Sequence, residues 1–193
     1  MSFWRWKAPL YSLARRLPPA KQILHAEQKN LGKLLRQFPP APGLHLDLGS
    51  GTGDSMRTLP SASKRIAVDA EFSMLARNPA ACRVSARAEE LPFPTETFTF
   101  ISAVGVLEYI DRSQVFFSEV KRVLQPAGGF LFTSSPPRLA NRLRWLLGER
   151  LHFHTAPQIE MMLQISGWRI LGHARSWLQE QWLVCHDPRH CNK

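Results

Sequence analysis

Residues 44–56 read LHLDLGSGTGDSM, and this stretch decides the fold. Its first half sets Leu44, Leu46 and Leu48 around His45 and Asp47. Alternation of period two predicts a short strand. Its second half brings Gly49, Gly51 and Gly53 within five residues. Glycine is needed where a backbone bends sharply or approaches a ligand closely. A strand running into such a turn suits a nucleotide-like ligand, and the spacing narrows which one. A dinucleotide fingerprint, G-x-G-x-x-G, would need its third glycine at position 54, which is Asp54. No G-x-x-x-x-G-K-[ST] occurs, so a P-loop is excluded. The Asp54 carboxylate would also repel a pyrophosphate placed at this turn. Asp47, just before it, suits a ligand that carries an amino group.

Strand and helix patterns alternate around this stretch. Residues 65–69, 82–86, 98–104 and 128–134 read as further strands. Helical stretches are expected from the glycines to about residue 59, from residue 72, and over 113–124, where Pro126 stops the last. Upstream, residues 20–37 keep helical spacing between Pro18-Pro19 and the prolines at 39, 40 and 42, with a shorter helix over 9–17. Downstream, residues 138–151 form a basic, apolar helix. Thr155 opens another with Gln158 as a capping box, and Gly167 closes it. Residues 168–174 and 181–186 read as a closing hairpin. This order predicts an α/β fold. It is a doubly wound, mostly parallel, seven-stranded sheet with helices on both faces, Rossmann-like, with an antiparallel strand in the C-terminal hairpin. Such sheets bind ligands at the carboxyl ends of their strands. The glycine turn lies at one of those ends.

Asp69 ends the second strand, twenty residues after Gly49. A carboxylate there can accept from both ribose hydroxyls. The residues therefore ask for a ribose and an amine, with little need of phosphate. S-adenosylmethionine has both, plus a sulfonium.

From about residue 44 to residue 134, and more loosely to the end, the chain resembles a class I S-adenosylmethionine-dependent methyltransferase, most similar to the small-molecule branch that includes ubiquinone/menaquinone C-methyltransferases. LDLGSGTG (46–53), VDAEFSML (68–75), AEELPFPTETF (88–98), VLEYI (106–110) and EVKRVLQPAGGFLF (119–132) carry the resemblance in order. It implies a cofactor site of Asp47, Gly49, Ser50, Gly51, Thr52, Gly53, Asp69, Ala70, Met74, Arg87, Ala88, Glu89, Ala103 and Val104. Within it, the glycines pass under the methionine and ribose, and Asp47 faces the methionine amine directly or through water. Asp69 holds the ribose, Met74 lies near the adenine, and Ala88 and Glu89 line the adenine edge. Ala103 and Val104 wall the pocket after the fourth strand. Three positions depart from the family pattern: Arg87 and Thr99 stand where Asp is usual, and Ala127 replaces the first glycine of a P-G-G turn. The sequence carries no internal repeat, low-complexity tract or second core, so one domain over 1–193 is expected, with an N-terminal helical cap (1–42), a cofactor-binding half (43–134) and an acceptor-side half (135–193).

The sulfonium already activates the methyl group, so alignment and water exclusion do most of the work. A general base is needed only where the nucleophile holds its proton tightly. Tyr109, Glu108, His152 and His154 are the candidates, each with a plain structural role as the alternative.

Composition bounds the partners. The 193 residues are 44% hydrophobic and 21% charged, an ordinary soluble balance. No apolar stretch approaches the ~20 residues of a membrane span, and MSFWRWKAPLY lacks a signal-peptide core. A cytoplasmic protein is expected, with peripheral membrane contact as a variant. Net charge is +10. Two basic clusters also carry large apolar groups: residues 1–36 with Phe3, Trp4 and Trp6, and residues 138–150 with Leu143, Trp145 and Leu146. Such clusters suit an anionic membrane surface or simply cover the core. Cys185-His186 and His190-Cys191 allow a zinc site or an exposed tail; no metal is expected. The D/N-P-P-Y motif of base-amino methyltransferases is absent, so nucleic acid is not favoured. Three functions stay open: methyl transfer to a small apolar or amphiphilic acceptor, an RNA methyltransferase, or a non-catalytic S-adenosylmethionine-binding module.

Overall fold

The computed structural model describes residues 20–57, 59, 64–138 and 151–186. The helix expected over 9–17, most of the one over 138–151, and the His190-Cys191 pair lie outside the described residues. So do most members of both basic, tryptophan-bearing clusters.

Seven strands form one sheet in the order β3-β2-β1-β4-β5-β7-β6. They are β1 (Leu44–Leu48), β2 (Lys64–Asp69), β3 (Cys82–Ser85), β4 (Phe98–Ala103), β5 (Leu124–Ser134), β6 (Arg169–Arg175) and β7 (Glu180–Cys185). The first five pair in parallel, and β7 runs antiparallel to both β5 and β6. This is the doubly wound, mostly parallel sheet expected, with its antiparallel hairpin. The order reverses at β1, so β1 and β4 flank the switch point where ligands bind such sheets.

Alternation along the strands sorts the core onto two faces. Phe130, Phe132, Trp182 and Val184 point to the face covered by α3 (Ser113–Val123) and α4 (Ala156–Ile165), against Phe116, Phe117, Ile159 and Leu163. Leu131 and Leu183 point the other way. There Leu31, Leu34 and Leu35 of α1 (Ala20–Gln37) cover them. Helix α1 has the bounds its prolines predict. Helix α4 carries the expected capping interaction, with Thr155 N donating to Gln158 Oε1 at 2.8 Å. Gly167, at φ +68°, ends the turn that follows it.

Three elements differ from expectation. The helix expected from the glycines to about residue 59 is a single 3-10 turn, Asp54–Arg57. The next helix, α2 (Phe72–Leu75), is only four residues long, because Asn78 turns the chain back under the glycine loop. Strand β5 begins at Leu124 rather than 128 and runs through Pro126. Leu124 pairs with Phe98, then the register jumps so that Gly129 faces Phe100. The proline is accommodated in that irregularity, where a missing N–H costs no ladder bond. Cys82 is an exposed free thiol. Cys185 is disulfide-bonded, so the Cys185-His186 pair offers no free thiolate to a metal.

Candidate active site

Glycine loop geometry comes first. Gly49, Gly51 and Gly53 all have positive φ, at +60°, +49° and +88°. A Cβ on Gly49 would lie 2.3 Å from Val106 Cγ2, and one on Gly53 would lie 2.7 Å from Pro79 Cδ. Both positions therefore exclude a side chain twice over, by backbone conformation and by space. The loop is pinned from behind. Ser50 N donates to Val68 O at 3.0 Å, and Asn78 Nδ2 donates to Gly51 O at 3.0 Å. Asn78 is 2% exposed, and its Oδ1 accepts from Ala80 N.

Above the loop is a cavity of about 420 Å³. It lies across the carboxyl ends of β2, β1 and β4. Its floor is Gly49 to Thr52. One wall is Val68, Asp69, Ala70, Glu71 and Met74, and one end is Ala86 to Glu89. The other end is Leu59, Val104, Gly105, Val106, Tyr109 and Ile110, roofed by Glu27, Gln28 and Leu31 of α1.

Asp69 is the best-organised polar group there. Its Oδ2 accepts from Gly51 N and its Oδ1 from Glu71 N, both at 2.8 Å. Each oxygen keeps a lone pair for a further donor. Burial pushes its carboxyl above the ordinary range, against the pull of those two N–H groups. Two fixed acceptor oxygens at the end of β2 suit a pair of neighbouring hydroxyls.

Most predicted cofactor residues line the cavity, and three do not. Asp47 is 1% exposed and lies behind the wall. Its Oδ2 accepts from Ser55 Oγ and its Oδ1 from Ser102 Oγ, both at 2.7 Å. Burial raises its pKa, and the two hydroxyl donors oppose the shift. Ser55, not Asp47, faces the cavity. Gly53 serves the turn rather than the wall, and Ala103 is buried in the core. Arg87 lines the cavity but leaves most of its side chain in solvent, reaching Glu89 Oε1 at 3.1 Å.

Of the candidate bases, only Tyr109 lines the cavity. Glu108 points into the protein, where Ser135 Oγ donates to its Oε1 and its carbonyl accepts from His152 N. His152 lies 3.6 Å from the exposed Asp111. His154 is away from the cavity, and burial followed by the nearby His152 lowers its pKa. Glu108 and His152 join the turn Leu107–Tyr109 to the chain on either side of the segment after β5.

Sequence reasoning missed Glu71, Asn78 and the α1 contribution. Glu71 gave a local signal, because it precedes Ser73 and caps α2 through its Oε1. Glu27 gave another, as the lone acid among the basic residues of 1–36.

Comparison with known proteins agrees with this geometry. A family model described as a methyltransferase domain matches residues 46–132, which span the glycine loop, Asp69 and β5. Residues 46–132 thus match a methyltransferase domain, and the sheet around them has the fold of solved S-adenosylmethionine-dependent methyltransferases. Among relatives of this chain, the ubiquinone/menaquinone biosynthesis C-methyltransferase UbiE of Geobacter sulfurreducens is 35% identical over 112 residues. That alignment covers 50% of this chain and 43% of UbiE. A fatty-acid O-methyltransferase of Mycolicibacterium smegmatis is 42% identical over 55 residues, covering 28% of this chain and 20% of that protein. The chain thus spans less than half the length of these curated relatives. Among solved structures, magnesium protoporphyrin IX methyltransferase from Synechocystis PCC 6803, with bound SAH, superposes with a TM-score of 0.71. It is 15% identical, and the match covers 96% of this chain and 94% of that one.

Proposed function

We propose that this methyltransferase binds S-adenosylmethionine in the cavity over the glycine loop and transfers its methyl group to a small apolar or amphiphilic acceptor, of the quinone-precursor or lipid kind. The observation that carries the cofactor half is Asp69, held between Gly51 N and Glu71 N with both oxygens turned to the cavity wall. The ribose hydroxyls donate to it. Adenine lies toward Met74 and Ala86 to Glu89, and the methionine half crosses Gly49 to Thr52. No phosphate has to be accommodated, which suits the acid at Asp54. Asp47 supports Ser55 from behind rather than touching the ligand.

Transfer is a direct in-line displacement. The acceptor atom forms a bond to the methyl carbon, the carbon–sulfur bond breaks, and its electron pair stays on sulfur as the thioether S-adenosylhomocysteine. A proton carried by the acceptor passes to solvent or to a base, and Tyr109 is the one sequence candidate within reach of the cavity. Orientation in a closed site supplies up to ~7–11 kcal/mol in favourable cases.

The acceptor class rests on the apolar lining beyond the ribose, which is Leu31, Leu59, Val104, Val106 and Ile110. The names of the curated relatives agree with it, since one is a fatty-acid and the other a quinone-pathway enzyme. A labelled-methyl assay on lipid and RNA extracts tests it. Label in the lipid fraction is the expected result. Label in RNA alone overturns the acceptor class, and cofactor binding without turnover on either makes the chain a binding module.

A further inference from the structure

Among the described residues, the lining of the cavity is acidic inside a basic protein. Among the described residues its lining carries five carboxylates, Glu27, Asp54, Asp69, Glu71 and Glu89, and one cation, Arg87, which Glu89 already pairs. The chain around it has a net charge of +10. Such a contrast favours a ligand with local positive charge. Asp69 and Glu71 stand at the ribose, and Glu89 stands at the adenine end. Asp54 is exposed to solvent and accepts from Thr52 Oγ1 at 3.5 Å. Glu27 is buried and stands at none of these places.

Topology fixes where Glu27 enters. Helix α1 approaches from the β7/β6 side of the sheet, away from β2 and β3. Its Leu34 fills the space left by Gly172 of β6, where a Cβ would lie 2.7 Å from Leu34 Cδ2. Asn30 Nδ2 donates to Arg175 O at 3.2 Å and to Gln181 Oε1 at 3.3 Å. These contacts register the helix against the hairpin. Leu31 then packs with Leu59 and Val104 at the end of the cavity opposite Ala88. Glu27 lies one turn earlier on the same face, 8% exposed, and lines the same cavity.

We propose that Glu27 of the roofing helix is the carboxylate that receives the ammonium of the cofactor's methionine, the role Asp47 cannot fill from behind the wall. The assignment rests on the cofactor placement proposed above. A charge-assisted hydrogen bond in a half-closed site is a strong contact.

The test is calorimetric titration of wild type and Glu27→Gln with two probes. S-adenosylhomocysteine carries the ammonium. 5′-Methylthioadenosine keeps adenine, ribose and sulfur but lacks the amino-acid end. The expected result is at least tenfold weaker S-adenosylhomocysteine binding in the variant, with methylthioadenosine binding unchanged. The unchanged probe also reports that the variant is folded. Unchanged S-adenosylhomocysteine binding overturns the assignment. An equal loss for both probes overturns it too, because Glu27 would then only hold the roof. Wild type that binds neither probe refutes the cofactor reading itself, a distinguishable outcome.

Discussion

Asp47 and Asp69 show how position, not residue type, decides a carboxylate's work. Both are aspartates at the ends of neighbouring parallel strands, and burial raises the pKa of both. Asp69 spends its oxygens on backbone N–H groups at the cavity wall, whereas Asp47 spends its own on two serine hydroxyls inside. A raised carboxyl pKa has a definite sign in stability. The folded state holds the proton more tightly, so stability is full below the unfolded value near 3.8 and is lost as pH rises through the folded one. Asp47→Asn removes that loss at position 47. The melting temperature of the variant relative to wild type should therefore climb between about pH 4 and pH 7. Melting curves that run parallel over that range would show that the two serines cancel the burial cost. The sequence made Asp69 legible, because a strand-end acid twenty residues past the glycine has few other uses. It left the facing of Asp47 open. The same residue type before the same turn says nothing about which way its side chain faces.

At the scale of elements, periodicity found α1, α3 and α4 because each buries one continuous apolar stripe. It failed for α2 and the turn after the glycines, where tertiary anchors decide. Asn78 reaches two loop carbonyls, and no local pattern announces that. Strand β5 was mis-started for a related reason: Pro126 reads as a break, but the register jump lets the strand pass through it. Ala127, in the middle of that jump, has φ +62°. The left-handed region costs an L-residue about 1–2 kcal/mol, and glycine returns about 0.5–1 of that in chain entropy. Ala127→Gly should stabilise the protein by about 0.5–1 kcal/mol in urea unfolding, with an unchanged slope against denaturant. A destabilised variant would mean that the alanine methyl makes a compensating contact.

Over the whole molecule, the doubly wound, mostly parallel sheet was legible from the alternation of strands and helices, and the acidic cavity lining was not. Net charge hides it, because the acids of the lining are scattered from Glu27 to Glu89 in sequence and meet only in the fold. The positive charge lies elsewhere, with much of it in the two tryptophan-bearing segments 1–36 and 138–150. An amphiphilic acceptor and two basic, tryptophan-bearing segments of sequence are consistent with work at an anionic surface. On that reading the protein co-sediments with phosphatidylglycerol vesicles at low salt and is released as ionic strength rises. Failure to sediment at low salt rules out the peripheral-membrane variant and leaves a soluble amphiphile as acceptor.

The central claim is that the cavity over LDLGSGTG, with Asp69 at its wall, binds S-adenosylmethionine. Calorimetric titration of wild type and Asp69→Ala with S-adenosylmethionine tests it most directly. One-to-one binding is predicted for wild type. Loss of hydrogen bonds to a charged group, worth about 1.5–3 kcal/mol, predicts roughly ten- to hundredfold weaker binding in Asp69→Ala. No binding to folded wild type, or equal affinity in the variant, contradicts it.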